Sequence, residues 1–102
     1  MHVDVDTLFT ALRALAEPIR WRIVELLGVE ELCVCHLVEE LDIPQPLVSH
    51  HLKVLRDAGL VDSERFRYWT YYRLRTDALA DLTRAVARVA DGAPTGRRRP
   101  CC

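Results

Sequence analysis

Four cysteines are the residues of this chain best suited to chemistry, and they form two pairs, Cys33 with Cys35 and Cys101 with Cys102. Thiolates select soft ions, and oxidation can also join thiols into disulfides. The pairs lack the Cys-x-x-Cys spacing of disulfide reductases and the spaced framework of a secreted disulfide-rich protein. No orienting carboxylate pattern or oxyanion loop accompanies them, so we do not expect an enzyme. We predict a soft-ion site, with a thiol redox switch as the alternative.

The first pair stands where a helix is predicted to begin. Cys33 occupies the N-cap position, three residues before His36, although Ser, Thr, Asp or Asn would cap a helix better. Side chains two residues apart on a regular helix diverge by about 200°, so both sulfurs reach one ion only if Cys33 lies outside the helix or the first turn distorts. We therefore expect ion binding to cost helix geometry. His36 is more typical of a solvated helix start than of a ligand.

The stretch from Leu32 to Ala58 is predicted to hold two helices joined by a turn at residues 42–44, and Gly59 ends the second helix. One face of that helix is a packing face, on which His51 is expected to be a hydrogen-bonded core residue. The opposite face carries short donors and acceptors and a cation, the groups that read base edges and phosphates. These predicted DNA contacts are Gln45, Pro46, Ser49, His50 and Lys53. The pattern indicates a helix-turn-helix whose second helix enters a major groove.

The period changes after the second helix. Residues 60–64 and 68–74 are rich in Val, Tyr, Trp and Thr, which predicts a β-hairpin with residues 65–67 between its strands. Arg65 and Arg67 at the expected tip suit contact with the DNA backbone or minor groove, and a merely solvated tip is the alternative. The hairpin would be the wing of a winged helix-turn-helix.

Three further helices complete the prediction. The first is expected to run from Thr7 to about Ala16, with Asp6 as its cap. The second is expected to start at Pro18 and to end at Leu27, before Gly28, with its arginines Arg20 and Arg22 facing outward. The last helix, 77–91, has an apolar face beyond the needs of so small a core. We therefore expect the first and last helices to form a two-fold dimer interface, with two recognition helices about 34 Å apart on symmetric double-stranded operator DNA.

The predicted fold class is mainly α with a β-hairpin wing, in the order α-α-α-α-β-β-α. Residues 1–91 are predicted to form one DNA-binding and dimerisation domain, and residues 92–102 a flexible tail containing Arg97 to Arg99 and the terminal cysteines. The start of the chain has Asp4 and Asp6 where a secretory signal would need basic residues, and no uncharged segment approaches membrane-spanning length. We expect a cytoplasmic protein with no membrane partner.

Charge is unevenly distributed along the chain, although the total is only −1. Residues 1–43 carry 3 arginines against 9 acidic residues, whereas residues 44–75 carry 6 basic against 3 acidic residues and residues 76–102 carry 5 against 3. The positive excess therefore coincides with the segments predicted to face DNA.

Three segments together resemble a known family: residues 31–37 with Cys33, Val34 and Cys35; residues 46–60; and the aromatic strand 68–74. They are similar to the ArsR/SmtB family of winged-helix metalloregulators, over about residues 7–90, and Cys-Val-Cys is typical of its arsenic-responsive branch. The resemblance implies a homodimeric repressor that leaves its operator when trivalent arsenic, As(III), or antimony, Sb(III), binds the cysteines. It also implies control of genes for arsenic detoxification and efflux, with no organic cofactor.

This sequence departs from the family pattern at two positions. Val38 stands where the common arsenic site has a third cysteine, and His36 replaces the usual acid. The third ligand is therefore open among Cys101, Cys102, His36 or none, and a tail of ten residues could extend roughly 33 Å to reach the first pair in the same or the partner subunit. Zinc sensors of the family bind through histidine and carboxylate ligands on the last helix, so the resemblance argues against a zinc site there, because that helix has Asp77 and Asp81 but no histidine. Another soft ion such as Cd or Pb remains an alternative inducer.

Overall fold

The computed structural model describes residues 4–92 and 95–101, so the predicted ligand Cys102 lies outside the described residues. Five helices and three short strands follow one another along the chain: α1 (Val5–Leu15), α2 (Pro18–Leu27), β1 (Leu32–Cys33), α3 (Val34–Leu41), α4 (Gln45–Asp57), β2 (Val61–Phe66), β3 (Trp69–Leu74) and α5 (Thr76–Ala90). The strands form one antiparallel sheet in the order β1-β3-β2. This is the predicted winged helix-turn-helix, with β1 as an additional strand.

The core lies where α2, α3 and α4 meet beneath the wing. Ile23, Leu37, Val48 and Leu55 have no exposed surface, and Leu52 is 1% exposed. The four buried residues of α4, Val48, His51, Leu52 and Leu55, lie at positions i, i+3, i+4 and i+7, which confirms the packing face expected from helical periodicity. Burying such side chains contributes about 1.5–3 kcal/mol each, so this face fixes how the predicted DNA-facing side of α4 is presented.

The two N-terminal helices differ in how well their starts were predicted. α2 begins at Pro18 as expected, and the Glu17 carboxylate caps it by accepting a hydrogen bond from the Arg20 backbone N–H at 2.8 Å. The predicted cap Asp6 is wrong, because α1 begins two residues earlier at Val5 with Asp4 at its N-cap. Asp6 instead lies in the first turn, where its charge is favourable beside the helix N-terminus.

The turn between α3 and α4 is tight. Asp42 adopts a left-handed conformation with φ of 53°, which an aspartate tolerates better than most residues. Pro44 is the N-cap of α4, and Pro46 lies in its first turn, where a missing backbone N–H costs nothing. The turn therefore starts α4 at Gln45, as predicted.

The wing has a shorter turn than the sequence indicated. Phe66 pairs with Trp69, so only Arg67 and Tyr68 form the turn, and Arg65 lies in β2 opposite Thr70 rather than at the tip. The turn lacks the Gly or Asn that usually marks a two-residue hairpin, and Arg67 itself takes a φ of 58°. The register of the β2–β3 pairing therefore could not be predicted from the turn residues.

Strand β1 connects the thiol segment to the wing. Leu32 pairs with Tyr72 and Cys33 pairs with Tyr71, both antiparallel to β3. A two-residue strand is too short to show an alternating pattern, so the sequence could not predict it. Its consequence is that Cys33 is held by sheet pairing on one side and by helix α3 on the other.

The helices at the two ends of the chain carry apolar surface that the single chain does not cover. Val5 and Phe9 on α1 are 60% and 50% exposed, and Val86 and Val89 on α5 are 55% and 82% exposed. On α5 only Leu82 is buried in the core. Among the described residues, none of the helices combines the length and the hydropathy needed to cross a bilayer.

Candidate ion site and DNA interface

The Cys33 and Cys35 sulfurs lie 2.7 Å apart. They meet because Cys33 is the N-cap of α3, with extended backbone (φ −91°, ψ 169°), and therefore lies outside the helix, whereas Cys35 is in its first turn. The sequence analysis left two possibilities, Cys33 outside the helix or a distorted first turn of α3. The structure adopts the first of them. The two sulfurs are therefore close enough to bind a single thiophilic ion together.

His36 belongs to the same cluster. Its Nδ1 lies 3.2 Å from the Cys33 sulfur and accepts a hydrogen bond from the Cys33 backbone N–H at 3.2 Å. One ligand atom from each of Cys33, Cys35 and His36 lies within 4.8 Å of the others. The sequence analysis favoured a solvated His36, but its position three residues after the N-cap, where a capping-box side chain turns back, was a usable signal.

The two thiols differ electrostatically. Burial alone would raise the pKa of Cys33, but hydrogen bonds from the Cys35 thiol and from backbone N–H groups of His36 and Cys35 outweigh it, so the pKa is lowered. The pKa of Cys35 is raised, chiefly because its proton is held in the hydrogen bond to Cys33 and secondarily by desolvation. The buried Cys33 sulfur is therefore the easier of the two to deprotonate, and the exposed Cys35 sulfur the harder.

A cleft of about 250 Å³ opens beside the sulfurs. It separates the start of α3 from the start of α4 and from the wing turn. Its lining residues are Cys33, Val34, Cys35, Gln45, Tyr68, Trp69 and Thr70. The thiols thus border both elements that the sequence predicts to contact DNA.

The tail cysteine does not join this cluster. Cys101 is exposed, and within residues 4–92 and 95–101 the only group of three possible ligands is the one at residues 33–36. The predicted roles of Cys101 and Cys102 as ligands therefore stay predictions.

The predicted DNA face of α4 is on the outside of the molecule. Lys53 is exposed but already paired, since its Nζ lies 2.8 Å from the Asp57 carboxylate on the same helix. Arg67 at the wing turn stacks over the Phe66 ring, with its guanidinium 5.6 Å from the ring centre. The other predicted contacts, all exposed, are Gln45, Pro46, Ser49, His50 and Arg65.

The packing side of α4 is joined to α1 and α2 by a polar cluster. His51 is 7% exposed, as predicted for a core histidine, and its Nδ1 accepts a hydrogen bond from Arg20 at 3.1 Å. Arg20 also donates to the Ala14 carbonyl at 2.7 Å, and Glu17 lies 3.8 Å from His51. The outward orientation predicted for Arg20 is therefore wrong: its long side chain reaches around α2 to a buried partner.

Comparison with known proteins gives consistent results. Residues 17–63 match the family of bacterial regulatory proteins named arsR. The chain is 44% identical over 90 residues to the transcriptional repressor SmtB of Mycobacterium tuberculosis, covering 87% of this chain and 67% of the relative. It is 39% identical over 72 residues to the arsenical resistance operon repressor of Staphylococcus xylosus, covering 71% and 69%.

A solved structure extends the comparison to the fold. The chain is similar to the homodimeric winged helix-turn-helix DNA-binding domain of a possible ArsR-family transcriptional regulator from Mycobacterium bovis, with a TM-score of 0.71 and 27% identity. The similarity covers 95% of this chain and 90% of that one.

Protonation of His51 should destabilise the folded chain. Burial, as the largest cause, lowers its pKa below 6.5, with Arg20 acting in the same direction and Glu17 opposing. The unfolded chain therefore binds the proton more readily, and the stability due to a neutral His51 is lost as the pH falls below about 6.5 through the folded-state pKa. The free energy of urea unfolding, measured at about pH 7.5 and about pH 5, should fall less in His51→Gln than in the parent. His50→Gln, an exposed neighbour, serves as the control, and an equal fall in the parent and His51→Gln would contradict the assignment.

Proposed function

We propose, since this chain belongs to the ArsR family of transcriptional repressors, that trivalent arsenic or antimony bound at Cys33 and Cys35 releases it from its operator. Proteins of this family are DNA-binding regulators rather than enzymes. The observation that carries the proposal is the pair of adjacent sulfurs with His36, in a cleft that also borders α4 and the wing. Similarity to an arsenical resistance repressor supports the choice of inducer.

The donor set fits a thiophilic inducer. Arsenous acid exchanges its hydroxides for thiols, so two As–S bonds form at Cys33 and Cys35 and two water molecules leave. The lowered pKa of Cys33 makes its sulfur the more readily deprotonated of the two. His36 is within reach as a third ligand from the same subunit, although its Nδ1 must then give up the Cys33 backbone N–H. Cys101 and Cys102 are the alternative third ligands.

A zinc site on α5 has less support. Among the described residues, this helix offers Asp77 and Asp81 but no histidine. Both carboxylates are already engaged, with Asp77 bonded to Arg75 at 3.0 Å and Asp81 bonded to Arg84. An ion at that position would have to displace two ion pairs.

Coupling between ion and DNA requires different affinities for the two states of the protein. An ion bound by both sulfurs would shift Cys33, whose backbone is paired with Tyr71 of the wing, and helix α3, which packs on α4. Both predicted DNA-contacting elements would therefore respond to the same small movement. A disulfide between the same sulfurs would act on the same elements, which makes a redox-sensing repressor the second candidate.

The inducer site is tested by cysteine replacement. Cys33→Ser and Cys35→Ser should bind operator DNA within about twofold of the parent, because the residues predicted to contact DNA are intact, and should need at least about 100-fold more arsenite for release. Operator sequence is first obtained by selection from random DNA, and release is measured by fluorescence anisotropy under reducing conditions.

Cys101→Ser and truncation after Gly96 are the matched comparisons, and they report whether the tail supplies the third ligand. Release by peroxide but not by arsenite would favour the redox alternative. Loss of DNA binding in the cysteine variants would mean that the thiols are structural.

The proposed DNA contacts are of two kinds. Ser49 and His50 on α4 are placed to read bases, whereas Arg65 and Arg67 on the wing suit phosphates. Ser49→Ala and His50→Ala should reduce the preference for operator over random DNA by roughly 5- to 150-fold, equivalent to about 1–3 kcal/mol. Arg67→Ala should weaken binding to both DNAs alike and lower the salt dependence by about one ion. Arg22→Ala, an exposed arginine on α2, is the control, and equal losses on both DNAs for His50→Ala and Ser49→Ala would refute base reading.

The proposed dimer uses the exposed apolar faces of α1 and α5. Replacing Val86 and Val89 together by Glu should yield monomers in sedimentation, because two charges would be buried at a two-fold interface. Operator affinity should fall at least about tenfold, since two half-sites can no longer be bound by one particle. Val29→Glu, at a valine that is 82% exposed outside these helices, is the matched control. An unchanged sedimentation coefficient in the double variant would remove α5 from the interface.

A further inference from the structure

We propose that the cleft beside the thiols receives the organic group of a trivalent organoarsenical, R–As(III), with Trp69 and Tyr68 forming its aromatic wall. This inference rests on the proposed function, because it assumes that arsenic binds Cys33 and Cys35. It goes further in assigning the ligand class and in naming the residues that select it.

The two sulfurs that meet at the cleft match a ligand with two exchangeable positions. Within the described residues only Cys33 and Cys35 bring thiols together, and Cys101 stands apart. Arsenous acid has three exchangeable hydroxides, so two thiols leave its third position to hydroxide or to His36. An organoarsenical R–As(OH)₂ has two, because its third bond is to carbon.

The reaction is balanced without an oxidant or a reductant. Each thiol gives its proton to a departing hydroxide, two As–O bonds and two S–H bonds break, two As–S bonds form, and two water molecules leave. Arsenic stays trivalent, and the As–C bond is untouched. The two sulfurs saturate such a ligand completely.

The size of the cleft suits an organic group. Its volume is about 250 Å³, and a cavity of about 150 Å³ is enough to hold a benzene molecule. A substituent on arsenic held by Cys33 and Cys35 begins at the edge of this space, because both residues line it. Val34 and the two wing aromatics supply apolar contact, whereas Gln45 and Thr70 border the remainder.

Trp69 and Tyr68 are not buried in the hydrophobic core. Trp69 is 55% exposed and Tyr68 is 88% exposed, so each has uncovered ring surface that an aromatic or alkyl group could bury. Pairing with Phe66 across the hairpin fixes the backbone of Trp69 and hence the position of the wall. The competing explanation, that these rings contact only DNA, predicts no influence on ligand choice.

The test compares arsenite with phenylarsine oxide on the same protein variants. The quantity measured is the ratio of the arsenite and phenylarsine oxide concentrations that release half of the operator DNA. The parent should be released by phenylarsine oxide at a concentration at least about tenfold lower. Trp69→Ala should reduce the ratio at least about fivefold, and Trp69→Phe should restore most of it, because a ring is retained.

A matched control is available because the chain has two tryptophans. Trp21 on α2 is 50% exposed and does not line the cleft, so Trp21→Ala should leave the ratio unchanged. Dividing the ratio of each variant by that of the parent cancels the intrinsic difference in thiol affinity between the two arsenicals.

Binding without DNA covers the case in which a wing variant loses its operator. The parent, Trp69→Ala and Tyr68→Ala are titrated calorimetrically with each arsenical. The ratio of the dissociation constants for arsenite and phenylarsine oxide should be larger in the parent than in either variant. Equal ratios in the parent and Trp69→Ala, with arsenite still releasing DNA, would overturn this inference alone. Failure of both arsenicals to bind the thiols or to release the parent would instead overturn the proposed function.

Discussion

The backbone pairing between Cys33 and Tyr71 is the constraint on which the site depends. It keeps Cys33 in extended conformation as α3 begins, so that its side chain meets that of Cys35 instead of diverging around a helix. The same pairing places the thiols beside the wing and leaves the cleft between them and Trp69. A strand of two residues therefore both organises the sulfurs and connects them to a predicted DNA-contacting element.

The sequence predicted the elements whose signals are local. Pro18 starts α2 as predicted because its fixed φ suits a first helical turn without tertiary contacts. Gly28 follows the last residue of α2 as predicted, although its backbone is right-handed (φ −69°, ψ −17°) and does not use the left-handed conformation that usually favours glycine there. The four-residue packing pattern on α4 predicted its buried face, including His51, because helical periodicity alone decides which residues share a side. The approach of the two sulfurs was also predictable from local geometry. At a helix start, Cys33 can lie outside the helix, and its side chain can then meet that of Cys35 in the first turn.

Features that arise from long-range contact were missed. Strand β1 exists only because β3 returns beside it, and no property of Leu32 or Cys33 alone could indicate that. Arg20 was predicted to face outward because its position on α2 lies off the apolar face of that helix. Its guanidinium instead contacts His51, 31 residues later in the chain. His36 was missed for a different reason, since its contact with Cys33 is local: its ring turns back through a capping geometry normally associated with carboxylates and amides.

The ion pair of Lys53 with Asp57 has a consequence for how the protein would distinguish DNA sequences. An exposed i, i+4 pair contributes only a small free energy, and Lys53 would have to give up that amount before binding a phosphate of the proposed DNA partner. Its contribution to sequence-independent affinity would therefore be slightly smaller than that of an unpaired lysine. Under the proposed contacts, a correspondingly larger share of the discrimination between sequences would fall to uncharged groups such as the Ser49 hydroxyl.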